Sequence, residues 1–262
     1  MYKKLLLTMV GLICIITIYS QSSNTQNFGN NFIYHEACDG VTIFGTYVSK
    51  QNPMVHSIKQ TSCYSFNGGK CAAFELRTTD TMNNSGTRSE ITFPTLTNLN
   101  RWYSFAILFP CMDWAYDSDD EVINQWHQGG SLTPALCIRT MQDSMYLRIV
   151  EDPGGDDTWI TLGPIVKDTW QSYVLHVIHS STTSGFIEIW RDGRKILTRN
   201  GKNMYPVGVN GTTNPNWKLG IYKSGWNDAS TTLTNRRVIL FDDIRMGNEN
   251  ASYREMVPMP YY

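Results

Sequence analysis

Phe186-Ile187-Glu188-Ile189-Trp190-Arg191-Asp192-Gly193-Arg194-Lys195-Ile196-Leu197 sets two runs of apolar and β-branched residues on either side of Asp192-Gly193. A two-residue Asp-Gly connection suits a type I′ turn, whose twist matches that of paired strands. The segment reads as a hairpin. Working outward, segments 73–77, 102–109, 121–127, 146–150, 172–179, 217–222 and 238–245 share its character. Each is strand-length, rich in β-branched and aromatic residues, and bounded by Gly, Pro, Asn or Asp. No long amphipathic helix and no repeat of fixed period interrupts them. The acidic, Gly-rich stretch 151–157 reads as a loop, not a linker. The expected fold is all-β: one sandwich of two antiparallel sheets with its core over about 27–250.

The rest of the composition narrows the class. With 41% hydrophobic and 17% charged residues the chain of 262 is neither disordered nor a coiled coil. Residues 1–20 read as a signal peptide: a short basic start with Lys3 and Lys4, an apolar run over 5–18, then Tyr19-Ser20-Gln21. That run is shorter than the roughly 20 residues a membrane span needs. The expectation is therefore a secreted protein comprising residues 21–262, with no membrane partner once the leader is removed. Formal charge is −1, and without Lys3 and Lys4 it is 20 basic against 23 acidic residues. No basic excess points to nucleic acid. Five cysteines lie beyond the leader, an odd number, so at least one is free or pairs between chains. Cys63 and Cys71 flank the turn-like Phe66-Asn67-Gly68-Gly69 and are candidates to face each other across a hairpin.

Alternation along the strands gathers polar groups. In 123–127, Gln125 and His127 share one face and Trp126 takes the other. In 217–222, Lys218, Gly220 and Tyr222 face together, opposite a core stripe of Trp217, Leu219 and Ile221. Arg88 and Glu90 share a side in 87–90. A solvated outer face and a carbohydrate-facing groove both account for this pattern. Solvent faces favour Thr, Ser, Lys and Glu, whereas Gln, His, Tyr and Arg on several strands suit a cleft. Gly220 is expected to leave room for a ligand to lie on the sheet.

The ordered series Phe74-Glu75-Leu76-Arg77, Arg88-Ser89-Glu90, Gln125-Trp126-His127, Trp190-Arg191-Asp192-Gly193, Lys218-Leu219-Gly220-Ile221-Tyr222-Lys223 and Phe241-Asp242-Asp243-Ile244-Arg245 resembles polysaccharide lyases of the glucuronan lyase and heparin lyase I type. The Arg-x-Glu, Gln-x-His and Gly-x-Tyr elements are also similar to those of alginate lyases. The resemblance runs over about 55–248. It implies a β-jelly roll of concanavalin A-like type, acting as a monomer on an acidic polysaccharide by β-elimination. Glucuronan is the preferred substrate; alginate, heparin-type polymers and non-catalytic carbohydrate binding are the alternatives.

β-Elimination removes the C5 proton beside a uronate carboxylate and expels the oxygen at C4. Donors must neutralise the carboxylate as charge builds. Gln125 and Arg88 suit that role, His127 is a candidate base, and Tyr222 is a candidate acid or both acid and base. Lys218, Glu90, Lys223 and His176 are the candidate substrate-binding residues, with Glu90 placed to orient Arg88. His176 and His179 fall on opposite faces of one strand, so at most one reaches the cleft. No cofactor is expected for the chemistry. Asp242 and Asp243, or Asp152, Asp156 and Asp157, are candidates for a structural Ca²⁺. A hydrolase would want two carboxylates about 5–9.5 Å apart, and no strand supplies them.

Overall fold

The computed structural model describes residues 31–51, 54–230 and 232–258; the leader read at 1–20 lies outside them. In chain order the strands are β1 (Phe32–Glu36), β2 (Ser49–Gln51), β3 (Ile58–Thr61), β4 (Cys71–Arg77), β5 (Arg88–Thr95) and β6 (Asn100–Leu108). Then come β7 (Glu121–His127), β8 (Leu136–Met141), β9 (Ser144–Val150), β10 (Asp157–Pro164) and β11 (Gln171–Ile178). The last are β12 (Phe186–Arg191), β13 (Arg194–Asn200), β14 (Asn216–Tyr222) and β15 (Arg236–Gly247), followed by one helical turn, α1 (Tyr253–Met256). A 3-10 segment, Ser224–Ala229, follows β14 directly. Among the described residues no helix is long and apolar enough to cross a membrane.

The β12–β13 hairpin forms as read. Arg191 pairs with Arg194 across Asp192 (φ 49°) and Gly193 (φ 81°), the two positive-φ residues of a type I′ turn. One sheet runs β13-β12-β11-β6-β15-β4-β3, with β1 also on β15; the other runs β10-β9-β8-β7-β14-β5-β2. Strand neighbours pair antiparallel throughout, and the two sheets pack as a jelly-roll sandwich.

Aromatic rings interlock among the aliphatic side chains that fill the space between the sheets. Trp217 stacks on Phe93 at 4.5 Å, and Tyr103 reaches Trp217 at 4.9 Å and Trp126 at 5.2 Å. Phe74, Phe105 and Phe241 close a second group by edge contacts. Trp126 and Trp217 are buried, as their parity requires. Their indoles anchor β7 and β14 from beneath, so the opposite faces of those strands are held rigidly. Truncating either Trp to Ala would cost about 3–5 kcal/mol.

All five described cysteines are free thiols, so Cys63 and Cys71 form no bridge. Cys63 is exposed while Cys71 lies buried in β4.

Candidate active site

Three neighbouring strands of the seven-stranded sheet carry the site. Lys218 on β14 pairs with Gln125 on β7, and Tyr222 on β14 pairs with Arg88 on β5. Glu90 lies opposite Gly220, and His127 opposite Asn216. Arg88, Gln125, His127 and Tyr222 together line a cleft of about 170 Å³, walled on one side by Ser131–Pro134. A larger cavity of about 500 Å³, between residues 112–115 and 232–236, holds no His or Tyr.

Glu90 is 1% exposed and ties the site together from below. Its carboxylate accepts from Gln125 Nε2 at 2.5 Å and from Arg88 Nη1 at 3.3 Å. That fixes which end of the Gln125 amide is nitrogen and leaves its second N–H for the cleft. Glu90 is thus an orienting group under the cleft, and the expectation that it contacts substrate is corrected. Arg88 lies over Tyr222, its guanidinium carbon 4.3 Å from the ring centre. Lys218 Nζ donates to Gln51 Oε1 at 3.3 Å, and burial holds its ammonium below the usual lysine range, with Arg88 adding to the effect.

His127 is locked by its own turn. Gly129 (φ 71°) swings its backbone N–H back to donate to His127 Nδ1 at 2.9 Å. Burial, then Lys218 and Arg88, push the imidazole down to about 4. The ring is neutral at pH 7 and, with Nδ1 accepting, carries its proton on Nε2. It is a donor.

Asn227, which sequence reading missed, fixes Tyr222. Its Oδ1 accepts the Thr87 N–H at 2.8 Å, so its Nδ2 must face the Tyr222 oxygen, 3.4 Å away. Only the 3-10 turn after β14 brings Asn227 there, and no periodicity announces such a turn. Gly86 lets this cluster close: a Cβ there would lie 2.5 Å from Arg88 Nη2 and 2.7 Å from Tyr222 Cε2.

Three expectations are corrected. Lys223 is fully buried, its Nζ 2.9 Å from Glu121, 3.1 Å from Asp119 and 3.4 Å from Asp117. With Arg237 it forms an ionic knot beneath the end of β14, on the side away from Tyr222. His176 lies on β11 of the other sheet, stacked on Trp102 at 4.2 Å, and His179 is buried against Tyr103. Neither histidine reaches the cleft. Gly220 (φ 141°) is demanded by packing, since a Cβ would meet Ser89 O at 2.2 Å and Glu90 Cα at 2.7 Å, not by room for a ligand.

Asp242 accepts the Phe66 and Asn67 N–H groups at 2.9 and 3.1 Å, and Asp243 pairs with Arg245 and His35, each at 2.7 Å. Asp152 meets Lys202, and Asp157 meets Arg148. Among the described residues no group of three His, Cys, Asp or Glu is arranged to hold a metal.

A jelly-roll sandwich with Arg, Gln, His and Tyr converging on one sheet face has the build of a protein that acts on polysaccharides. The Polysaccharide lyase family matches residues 35–245, and the chain belongs to that family. Its fold is similar to that of the endo-β-1,4-glucuronan lyase from the fungus Trichoderma reesei, with TM-score 0.71 and 17% identity over 88% of this chain and 100% of that one. An alginate lyase of polysaccharide lyase family 7 matches with TM-score 0.51 and 14% identity over 77% of this chain and 94% of that one. The receptor-binding domain of botulinum neurotoxin type G shares the fold at TM-score 0.54 and 12% identity, over 86% of this chain and 50% of that one. No match was found among curated proteins. The protein is a lyase acting on a polysaccharide substrate.

Proposed function

We propose that the protein cleaves β-1,4-linked glucuronan by β-elimination, with Tyr222 as both base and acid. The observation that carries this reading is the convergence of Arg88, Gln125, His127 and Tyr222 in one cleft. The Tyr222 phenolate oxygen takes the C5 proton; the C5–H electron pair forms the C4–C5 double bond, and the C4–O4 pair leaves with O4. The same proton, now on Tyr222, passes to O4. The Gln125 N–H and the His127 Nε2–H donate to the uronate carboxylate, where negative charge accumulates. Arg88 and Lys218 supply positive charge to the same spot, and the Asn227 amide donates to the phenolate.

Stereochemistry supports a single residue in both roles. In 4-linked D-glucuronate the C5 hydrogen and the C4 oxygen lie on the same face of the ring, so one group can serve both. In L-guluronate they lie on opposite faces. Glucuronan is favoured further by the likeness in fold to the Trichoderma reesei enzyme, whose whole length is covered. The leader-like residues 1–20 suit export, so that the substrate is met outside the cell.

The test is a panel of glucuronan, mannuronan, polyguluronate, heparin and hyaluronan, followed by the ultraviolet absorbance of the unsaturated uronate. Glucuronan should give the fastest rise and polyguluronate almost none. Polyguluronate as the best substrate would require a second, opposed proton-transfer group and would overturn the reading.

A further inference from the structure

The strand register carries the catalytic face well beyond the cleft. Lys218, Gln125, Cys137, Arg148 and Trp159 pair in turn, forming one row across β14, β7, β8, β9 and β10. A second row beside it runs Arg88, Tyr222, Val122, Arg139, Tyr146 and Thr161. The core sides of β8, β9 and β10 are Ile138, Leu147 and Ile160, so these rows stand on the same face as the catalytic groups.

The two rows differ in access. Arg148 is 6% exposed, clamped by Asp157 at 2.6 and 2.8 Å and by the Pro134 carbonyl at 3.2 Å. Arg139 is paired too, its Nε to Asp120 Oδ2, with its side chain 13% exposed. The more open track follows the second row past Arg139 and ends on aromatic rings. Trp159 is 39% exposed, unusual for an indole on a sheet that otherwise buries its large side chains. Tyr146 props it edge-on at 5.8 Å, and the Arg139 guanidinium lies 5.8 Å from its ring centre.

We propose that Trp159, with Tyr146 and Arg139, forms a distal subsite for another uronate unit of the same polymer. Three strand spacings of about 4.8 Å put it roughly 14 Å from Gln125, several sugar units along a chain laid across the strands. The indole stacks on the apolar face of a pyranose ring while Arg139 meets its carboxylate. The subsite rests on the lyase reading of the cleft and adds polymer affinity to it.

The experiment compares glucuronan polymer with short oligosaccharides cut from it, using wild type, Trp159→Ala and Trp159→Phe. In wild type, kcat/KM should favour the polymer. In Trp159→Ala that preference should shrink about tenfold, through KM, and Trp159→Phe should restore most of it. An unchanged polymer-to-oligomer ratio in Trp159→Ala overturns the subsite. Calorimetric binding of the polymer to Tyr222→Phe, with and without Trp159→Ala, separates the two readings because it needs no turnover. If wild type cleaves no glucuronan, the lyase assignment of substrate fails. Even then, a Kd weakened about tenfold by Trp159→Ala upholds the subsite, and an unaltered Kd refutes it.

Discussion

The backbone N–H of Gly129 donates to His127 Nδ1, which leaves the proton of the neutral imidazole on Nε2. Burial and two neighbouring cations hold the ring neutral down to about pH 4. The rate should therefore show no inflection near the ordinary histidine value of 6.5. A titration of the His127 ring by NMR should give a midpoint near 4. Because the folded value lies below the unfolded one, the folded state binds fewer protons between them. The resulting stability is complete above pH 6.5 and is lost as pH falls through about 4. His179, which burial pushes down to about 3, adds to the same trend. Melting temperature should fall across this window, and less steeply in His127→Gln.

Asn227→Asp keeps an acceptor for the Thr87 N–H but removes the donor to Tyr222 and sets a carboxylate beside its oxygen. Folding should survive. The account expects kcat to drop by about tenfold or more with KM nearly constant, because the lost interaction matters when charge sits on the phenol oxygen. Equal kcat in the variant and wild type would remove Asn227 from the catalytic arrangement.

The ionic knot under β14 makes a separate claim about stability. Among the described residues, Lys223→Met leaves Arg237 as the remaining cation on Asp117 and Glu121 in a buried site, with the Thr232 and Thr234 hydroxyls still donating to Asp117. Loss of one partner from such a buried network costs about 3–5 kcal/mol. Denaturant unfolding should register that loss, and a change under 1 kcal/mol would mean that the cluster behaves like a surface pair.

Much of this architecture is written in local alternation. Trp126 against Gln125 and His127, and Trp217 against Lys218, declare their faces in sequence because a strand has a period of two. The same rule, carried one residue past Tyr222, separates Lys223 from the cleft. His176 was misplaced for a different reason: alternation tells which face a residue takes, not which of two sheets it belongs to. The segments read as strands leave out β1, β2, β8 and β10; Ser49-Lys50-Gln51 is a short, polar edge segment that alternation does not mark. Asn227 and the Gly129 N–H lay beyond reach because they meet the site through turns, where contacts depend on the tertiary path. The role of Gly220 was misread because the atoms its missing Cβ would strike belong to β5, across the sheet.

Chelation offers a further check. In the proposed mechanism an amide, an imidazole N–H and two cationic side chains neutralise the carboxylate, so EDTA should leave initial rates unchanged. Loss of rate with an unaltered melting temperature, restored by Ca²⁺ or Mn²⁺, would place a metal at the substrate carboxylate and overturn this division of labour.

The most direct test follows the ultraviolet absorbance of the unsaturated uronate when glucuronan is mixed with wild type or Tyr222→Phe. Wild type should generate the chromophore in step with chain cleavage. Tyr222→Phe, which loses one hydroxyl and keeps the ring under Arg88, should still fold and bind polymer while turnover falls by at least about a thousandfold. Near-normal absorbance in Tyr222→Phe, or chain cleavage by wild type without the chromophore, would contradict the account.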